Sequence, residues 1–367
     1  MNKLVSLTVC IVMLFISFSF AGCSKTNTSS ASSTMANKED TLNFGMNIHN
    51  SAYESYPAKD IEKNIKSCKE LGMDIVRYNQ CSTEPKKIAE IKKVSKLCHE
   101  NGMKLMLVVD STQHYTMALP LDEIELKMEK YYHELSSALG DAVDIYQIFN
   151  EMDVHCINGN SDSIFAPQAD GHNYDCIMYE RSVVAVKGAL KGIRKANSKA
   201  KTCVNFSWLH TALIYRLYEE GCRFDIIGID WYSDCQEISS IEDLINEVTK
   251  NIPDSDIMIC ETNYWMNLLD RYPQEHKESL KDAEKRNKLQ AEWVPEFIDT
   301  LIDCNNPRLK GIIFYELLDE LNFEEDSGKY QGESHFGFIE CDRKGQNRIK
   351  KPAFFSLQQK VKEIKEN

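Results

Sequence analysis

After its opening apolar run the chain has no second stretch long enough to cross a membrane. It also lacks a Cys-x-x-Cys element, a glycine-rich dinucleotide turn after the first strand-like segment, and a basic stripe interleaved with aromatics. Each absence removes a class: polytopic membrane proteins, tight-knuckle zinc modules, dinucleotide-binding open sheets and nucleic-acid binders. Basic residues are outnumbered, 43 Lys+Arg against 56 Asp+Glu, for a net charge of −13. Such a surface repels phosphate backbones, so no nucleic-acid partner is expected. What is present, 43% apolar and 27% charged residues over 367 positions, is ordinary globular composition and speaks against collagen-like, coiled-coil and disordered chains.

The N-terminus carries Lys3, an apolar run from Leu4 to Phe20, then Ala21, Gly22 and Cys23. A positive start, a greasy segment and small residues before a cut site make an export signal. The run resembles a bacterial lipoprotein signal, which implies that residues 1–22 are removed and Cys23 is lipidated. Residues 23–40, including SKTNTSSASSTMANKED, are too polar to offset their ordering entropy and read as a flexible tether. The expected organisation is therefore a signal over 1–22, a tether over 23–40 and a folded domain over 41–367. That domain would be exported and held at the outer face of a membrane, with the bilayer as a partner through the lipid. Of 13 cysteines, eleven remain once Cys10 and Cys23 are set aside, an odd number that leaves at least one unpaired within the chain. Cys203, Cys222 and Cys260 lie in or beside apolar segments, where a thiol behaves as a small hydrophobe.

From residue 41 onward, short apolar segments alternate with longer amphipathic ones. Strands are expected at 42–48, 74–78, 104–109, 144–149, 201–206, 224–230, 256–260 and 309–315. Helices are expected near 58–71, 84–101, 121–139, 175–196, 211–220, 240–250, 284–304 and 352–365. The strand segments are continuously apolar, as parallel strands covered on both faces require. Gly72, Gly102, Gly140 and Gly221 follow helix segments, where glycine can take the left-handed conformation that ends a helix. Eight such units predict a single-domain (β/α)8 barrel. Long excursions after strand four (152–174) and strand eight (317–348), and a shorter one at 264–283, would project from its C-terminal mouth.

In a barrel, unusual polar residues should collect at the C-terminal strand ends. Those positions hold His49 and Asn50, Arg77, Asp110, Asn150 and Glu151, Trp208 and His210, Trp231 and Tyr232, Glu261, and Tyr315 and Glu316. Trp208, Trp231 and Trp265 fall at or just past strand ends and fit a sugar-stacking surface, since an aromatic ring offers an apolar face to a pyranose. Glu151 and Glu261 each close an apolar strand, three strands apart, and can face each other across the mouth. Retaining glycoside hydrolysis asks for such a pair, one carboxyl protonated and the other ionised.

On these residues the chain resembles glycoside hydrolase clan A, the retaining (β/α)8 enzymes that include the family 5 cellulases and mannanases. The resemblance runs from Leu42 to about Val361 and extends to HFGFIECD and KKPAFFSL near the end. It implies that Glu151 is the acid/base, Glu261 the nucleophile, Arg77 and Tyr232 its supports, and Asn150 the ligand of the sugar 2-hydroxyl. Their places at or just past strand ends make His49, Asp110, Trp208, His210, Trp231, Trp265, Tyr315 and Glu316 the substrate-binding candidates, Tyr315 standing where family 5 usually has tryptophan. A third carboxylate, Glu316, could act in catalysis or hold the loop that follows, together with Asp319.

A β-1,4-glucan or mannan is the substrate the likeness implies, though xylan, galactan, a β-1,3-glucan or a host glycan would leave the same motifs. His155, Cys156, His172 and Cys176 are zinc-suited types with loose spacing, and a Cys156–Cys176 disulfide or no relation at all is the plainer reading. The expected chemistry needs no metal and no cofactor. The competing reading is a surface glycan-binding protein on a catalytically dead barrel. Aldolase- or isomerase-type chemistry would need a lysine or a phosphate cradle at the mouth, and the strand ends supply neither.

Overall fold

The computed structural model describes residues 42–110, 119–157, 174–233, 237–264, 282–322 and 333–366, all within one compact unit, Asp40–Asn367. The signal, Cys23, Trp265 and His172 lie outside the described residues, as do much of the excursions after strands four and eight and nearly all of that after strand seven. Eight strands, β1 (Asn43–Ile48), β2 (Ile75–Asn79), β3 (Lys104–Val109), β4 (Ile145–Ile148), β5 (Lys201–Ser207), β6 (Ile226–Asp230), β7 (Asp256–Glu261) and β8 (Leu309–Phe314), form a closed parallel barrel. Closure is made by β1 against β8, with Asn43 opposite Gly311 and Met46 opposite Phe314. Around it run α1 (Ile61–Glu70), α2 (Pro85–Glu100), α3 (Leu121–Leu139), α4 (Cys176–Ala196), α5 (Ala212–Glu219), α6 (Ser240–Asn251), α7 (Ala283–Asp303) and α8 (Pro352–Glu366). A two-residue antiparallel pair, β9 (Ile339–Glu340) and β10 (Ile349–Lys350), sits in the β8–α8 connection.

Local chemistry explains the boundaries. Pro85 opens α2 at a position whose N–H has no intrahelical partner. The Asp175 and Asp282 carboxylates accept from the first free N–H groups of α4 and α7. The expected glycine terminators hold at Gly72, Gly102 and Gly221, with φ of 81°, 74° and 80°. Gly140 differs: with φ 57° and ψ −132° it lies outside the left-handed helical well and opens a short 3-10 turn, Gly140–Ala142.

The barrel is filled from within by Ile75, Met106, Ile145, Cys203, Ile226, Met258, Cys260 and Ile313, every strand from β2 to β8 contributing. The much larger apolar layer lies between the strands and the helices and includes Phe44, Tyr132, Phe297 and Phe354. All ten described cysteines are free thiols, Cys156 and Cys176 among them. Cys156 instead donates to the Met152 carbonyl and lies 3.3 Å from the Ser182 hydroxyl.

Helices α3 and α4 pack closely because α4 presents Gly188 and Gly192 to the α3 backbone. A β-carbon on Gly188 would strike the Glu125 carbonyl, and one on Gly192 the Glu129 carbonyl. Lys191 and Lys195 on α4 pair with Glu125 and Glu129 at the edge of the same seam. Gly188→Ala is a test of this packing. Helix propensity alone would stabilise it by about 1 kcal/mol, but overpacking against a backbone costs about 1–3 kcal/mol. Net destabilisation in urea unfolding is the expected outcome.

Candidate active site

Arg77 projects from β2 into the barrel mouth and is almost wholly buried. Its Nε donates to Gln147 Oε1 at 2.9 Å, Nη1 to Asn47 Oδ1 at 2.9 Å and Nη2 to Asn150 Oδ1 at 2.7 Å. Nη2 also lies 2.7 Å from Glu261 Oε1. Burial by itself would weaken the guanidinium's hold on its proton, but the charges around it, Glu261 first, outweigh it and raise its pKa above the ordinary arginine value. The other Glu261 oxygen, Oε2, accepts from the Tyr232 hydroxyl at 2.8 Å. Tyr232 is stacked on Phe336, ring centroids 5.3 Å apart. Burial first, then the Glu261 charge, pushes the phenol pKa up, so Tyr232 stays a donor.

Glu261 reaches this position through an irregularity. On β7, Met258 and Cys260 point into the barrel, so strict alternation would turn Glu261 outward. The β6–β7 register shifts between Ile229 and Asp230, where Ile229 pairs with Ile259 but Asp230 with Glu261. The extra residue re-aims the carboxylate into the mouth, a common use of bulges beside working sites.

The end of β4 is irregular in the same sense. Phe149 has φ 60° and turns outward onto Tyr132 of α3, which brings Asn150 inward. Asn150 Oδ1 accepts from Arg77, from Gln147 Nε2 at 2.9 Å and from Asn205 Nδ2 at 3.0 Å. Its oxygen is thus fully used, and what Asn150 can offer a ligand is its amide N–H. Glu151 has φ 42°, and its backbone N–H donates to Asn205 Oδ1 at 3.2 Å. Burial pushes the Glu151 pKa well up, the charges of Glu261 and Asp153 push it further, and a hydrogen bond from Ser207 opposes them. One carboxyl therefore prefers its proton, while the other has a cation on one oxygen and a phenol on the other.

Other expected residues divide. His49 comes to the mouth but is buried, its Nε2 2.9 Å from Glu316 Oε2, its Nδ1 3.2 Å from Asn79 Oδ1, and its ring stacked on Tyr53 at 4.1 Å. Tyr315, half-buried, meets it edge-on at 5.5 Å. Asp110 is exposed at the end of β3.

Four expectations are corrected. Trp231 is fully buried in the strand–helix layer: Asp230 before it and Tyr232 after it face inward, so alternation drives the indole out of the mouth. Trp208, 8% exposed, also belongs to that layer, so the expected platform of converging tryptophans is not formed by these two. His210 is wholly buried and bonded through Nδ1 to Asp153 Oδ2 at 3.0 Å, beneath the surface a substrate would touch. Glu316 likewise is buried, accepting from the Tyr56 hydroxyl at 2.9 Å. Burial pushes its pKa well up, and it serves the wall rather than an open site. Asp319, expected to hold the following loop with it, pairs with Lys351 beyond that loop at 2.6 Å.

Sequence reasoning missed Asn47, Gln147, Asn205, Asp153 and Asp230. A signal existed for Asn47, Gln147, Asn205 and Asp230: polar residues preceded by apolar ones, at or within two positions of a strand's C-terminal end. Such a residue is costly unless bonded, which marks a network rather than a surface.

A model of glycosyl hydrolase family 53 matches residues 120–338, more than half of the chain and the span from α3 to the β8 loop, with both glutamates inside it. The chain belongs to glycosyl hydrolase family 53. The family 5 likeness expected from sequence finds no such support, while the clan-level expectation of a retaining (β/α)8 glycosidase stands. No curated protein matches this family 53 chain by sequence. Among solved structures it is similar to beta-glycosidase BGL167 (TM-score 0.63, 14% identity, 89% of this chain and 97% of that one). It is also similar to a family 1 b-glucosidase from Thermotoga maritima (0.64, 13%, 88% and 98%) and to the AHE enzyme from Alicyclobacillus herbarius (0.61, 12%, 91% and 99%). At such identity these likenesses carry the barrel alone.

The Asp153 carboxylate raises the Glu151 pKa, so removing its charge has a defined sign in this family 53 enzyme. In Asp153→Asn, Glu151 should lose its proton at lower pH. The alkaline limb of the kcat/KM profile should move acidward by about 0.5–1 pH, measured on a chromogenic glycoside.

Proposed function

We propose that this enzyme cleaves β-linked polysaccharide or oligosaccharide by double displacement, with Glu261 as nucleophile and Glu151 as acid/base. The observation that carries the reading is the split between the two carboxyls. Glu261 is held by Arg77 at 2.7 Å and Tyr232 at 2.8 Å, which favours an oriented anion. Glu151, half-buried and feeling the Glu261 charge, favours the proton a leaving oxygen needs. In the first step Glu261 attacks the anomeric carbon, the glycosidic bond breaks, and the Glu151 proton goes to the departing oxygen. In the second, Glu151 takes a proton from water as it attacks, and the bond to Glu261 breaks with the anomeric configuration retained. Asn150, through its free amide N–H, would hold the 2-hydroxyl oxygen as the ring flattens. A glycan-binding protein would need no such division of charge.

A β-1,4-glucan or mannan is the substrate we propose to test first. Its support came from the family 5 likeness, so galactan and xylan belong on the same panel. Product anomers followed by proton NMR identify the polymer and the stereochemistry together. Glu261→Ala should lower kcat by at least about 10³-fold, and azide should restore turnover with inverted product. Near-normal kcat in that variant on a cleaved substrate overturns the assignment. We further propose lipid attachment at Cys23, placing the enzyme at a bacterial cell surface. Expressed in its lipoprotein-processing host, Cys23→Ala should abolish labelling by a fatty-acid probe.

A further inference from the structure

The mouth contains a third carboxyl that the double displacement does not use. Asp230 ends β6, is about 1% exposed, and sits in register between Ser207 of β5 and Glu261 of β7. Its Oδ2 accepts from Asn205 Nδ2 at 2.6 Å, and its Oδ1 has no partner among the described residues. Arg77 acts on Asp230 through its charge, but its bonds go to Gln147, Asn47, Asn150 and Glu261. An ionised carboxylate here would be buried without a bonded cation, with one oxygen receiving nothing and other carboxyls close by. A charge is seldom held in that setting, whereas a neutral acid loses little in it.

We propose that Asp230 stands in the resting enzyme as a neutral carboxylic acid and works as a positioning residue. It anchors Asn205, which in turn fixes the Glu151 main chain and the Asn150 amide, and it leaves the charge of Arg77 undivided for Glu261. The links are the Asn205 contacts at 2.6, 3.0 and 3.2 Å. Among the groups facing Asp230, burial dominates, and Glu261 of β7, Glu151 after β4 and Cys260 of β7 oppose its ionisation, against Arg77 of β2 and the Asn205 N–H on Oδ2, which favour it.

The role of Asp230 in turnover rests on the glycosidase reading, and its protonation state does not. Two variants and one titration separate them. Asp230→Asn keeps a neutral group of the same shape and should stay within about threefold of wild type in kcat/KM. Asp230→Ala leaves Asn205 unanchored and should lose about 100-fold, the scale of a misplaced reacting group. The alkaline limb should stay within about 0.3 pH of wild type in Asp230→Asn, in contrast to Asp153→Asn, because no anion has been removed.

A loss in Asp230→Asn as large as in Asp230→Ala, or an acidward shift of its limb by about one pH or more, overturns the proposal. Independently of any substrate, carbon-13 NMR of aspartate-labelled wild-type enzyme follows the Asp230 carboxyl, assigned by its loss in Asp230→Asn. A signal still protonated at about pH 6, where an ordinary aspartate is ionised, is the expected result. Ionisation complete below about pH 5 overturns it even if every glycan on the panel fails.

Discussion

The buried guanidinium of Arg77 is the constraint around which the mouth is arranged. A cation removed from water must be surrounded by acceptors or it cannot stay there. Four groups from three other strands or strand ends meet that demand: Asn47 from β1, Gln147 and Asn150 from β4, and Glu261 from β7. Because arginine presents its donors in a rigid plane, satisfying it also fixes where the Glu261 carboxylate lies. Packing, hydrogen bonding and the orientation of the nucleophile candidate are thus one requirement seen at three levels.

A second consequence follows from charge. With Arg77 committed to Glu261, no lysine or arginine among the described residues is bonded to Glu151, Asp230 or Glu316. Glu151, Asp230 and Glu316 all shift toward their neutral forms, burial leading in each case. Glu320, behind the wall and bonded to Ser55 at 2.8 Å, is pushed up to about 8 for the same reason. The mouth therefore sets one carboxylate held by a cation beside neighbours that favour their protons, a condition that suits attack by one and proton delivery from another.

Much of this was legible in the chain. Continuous apolar strand segments, amphipathic spacers and glycine after helices fix a closed parallel barrel, and β3 and α3 fall where the pattern puts them. Glu151, Glu261, Arg77 and Tyr232 stand out because they are polar groups closing apolar strands. The tryptophan platform misled because an aromatic at a strand end can face either layer, and the alternation beside Asp230 sends Trp231 outward. His210 and Glu316 were read as open-site residues for want of knowing their buried partners, Asp153 and His49.

Sequence by itself determined the repeating unit, its count and the acids at the strand ends, since these follow from local periodicity and from the cost of placing polar groups in apolar runs. Tertiary structure alone decided which acid is anchored and which is left protonated. That depends on a bulge opposite Asp230 and a positive-φ residue at Phe149, each shifting side-chain phase by one residue. Alternation has a period of two, so a single extra residue reverses every facing after it, and no count along the chain reveals where that reversal occurs.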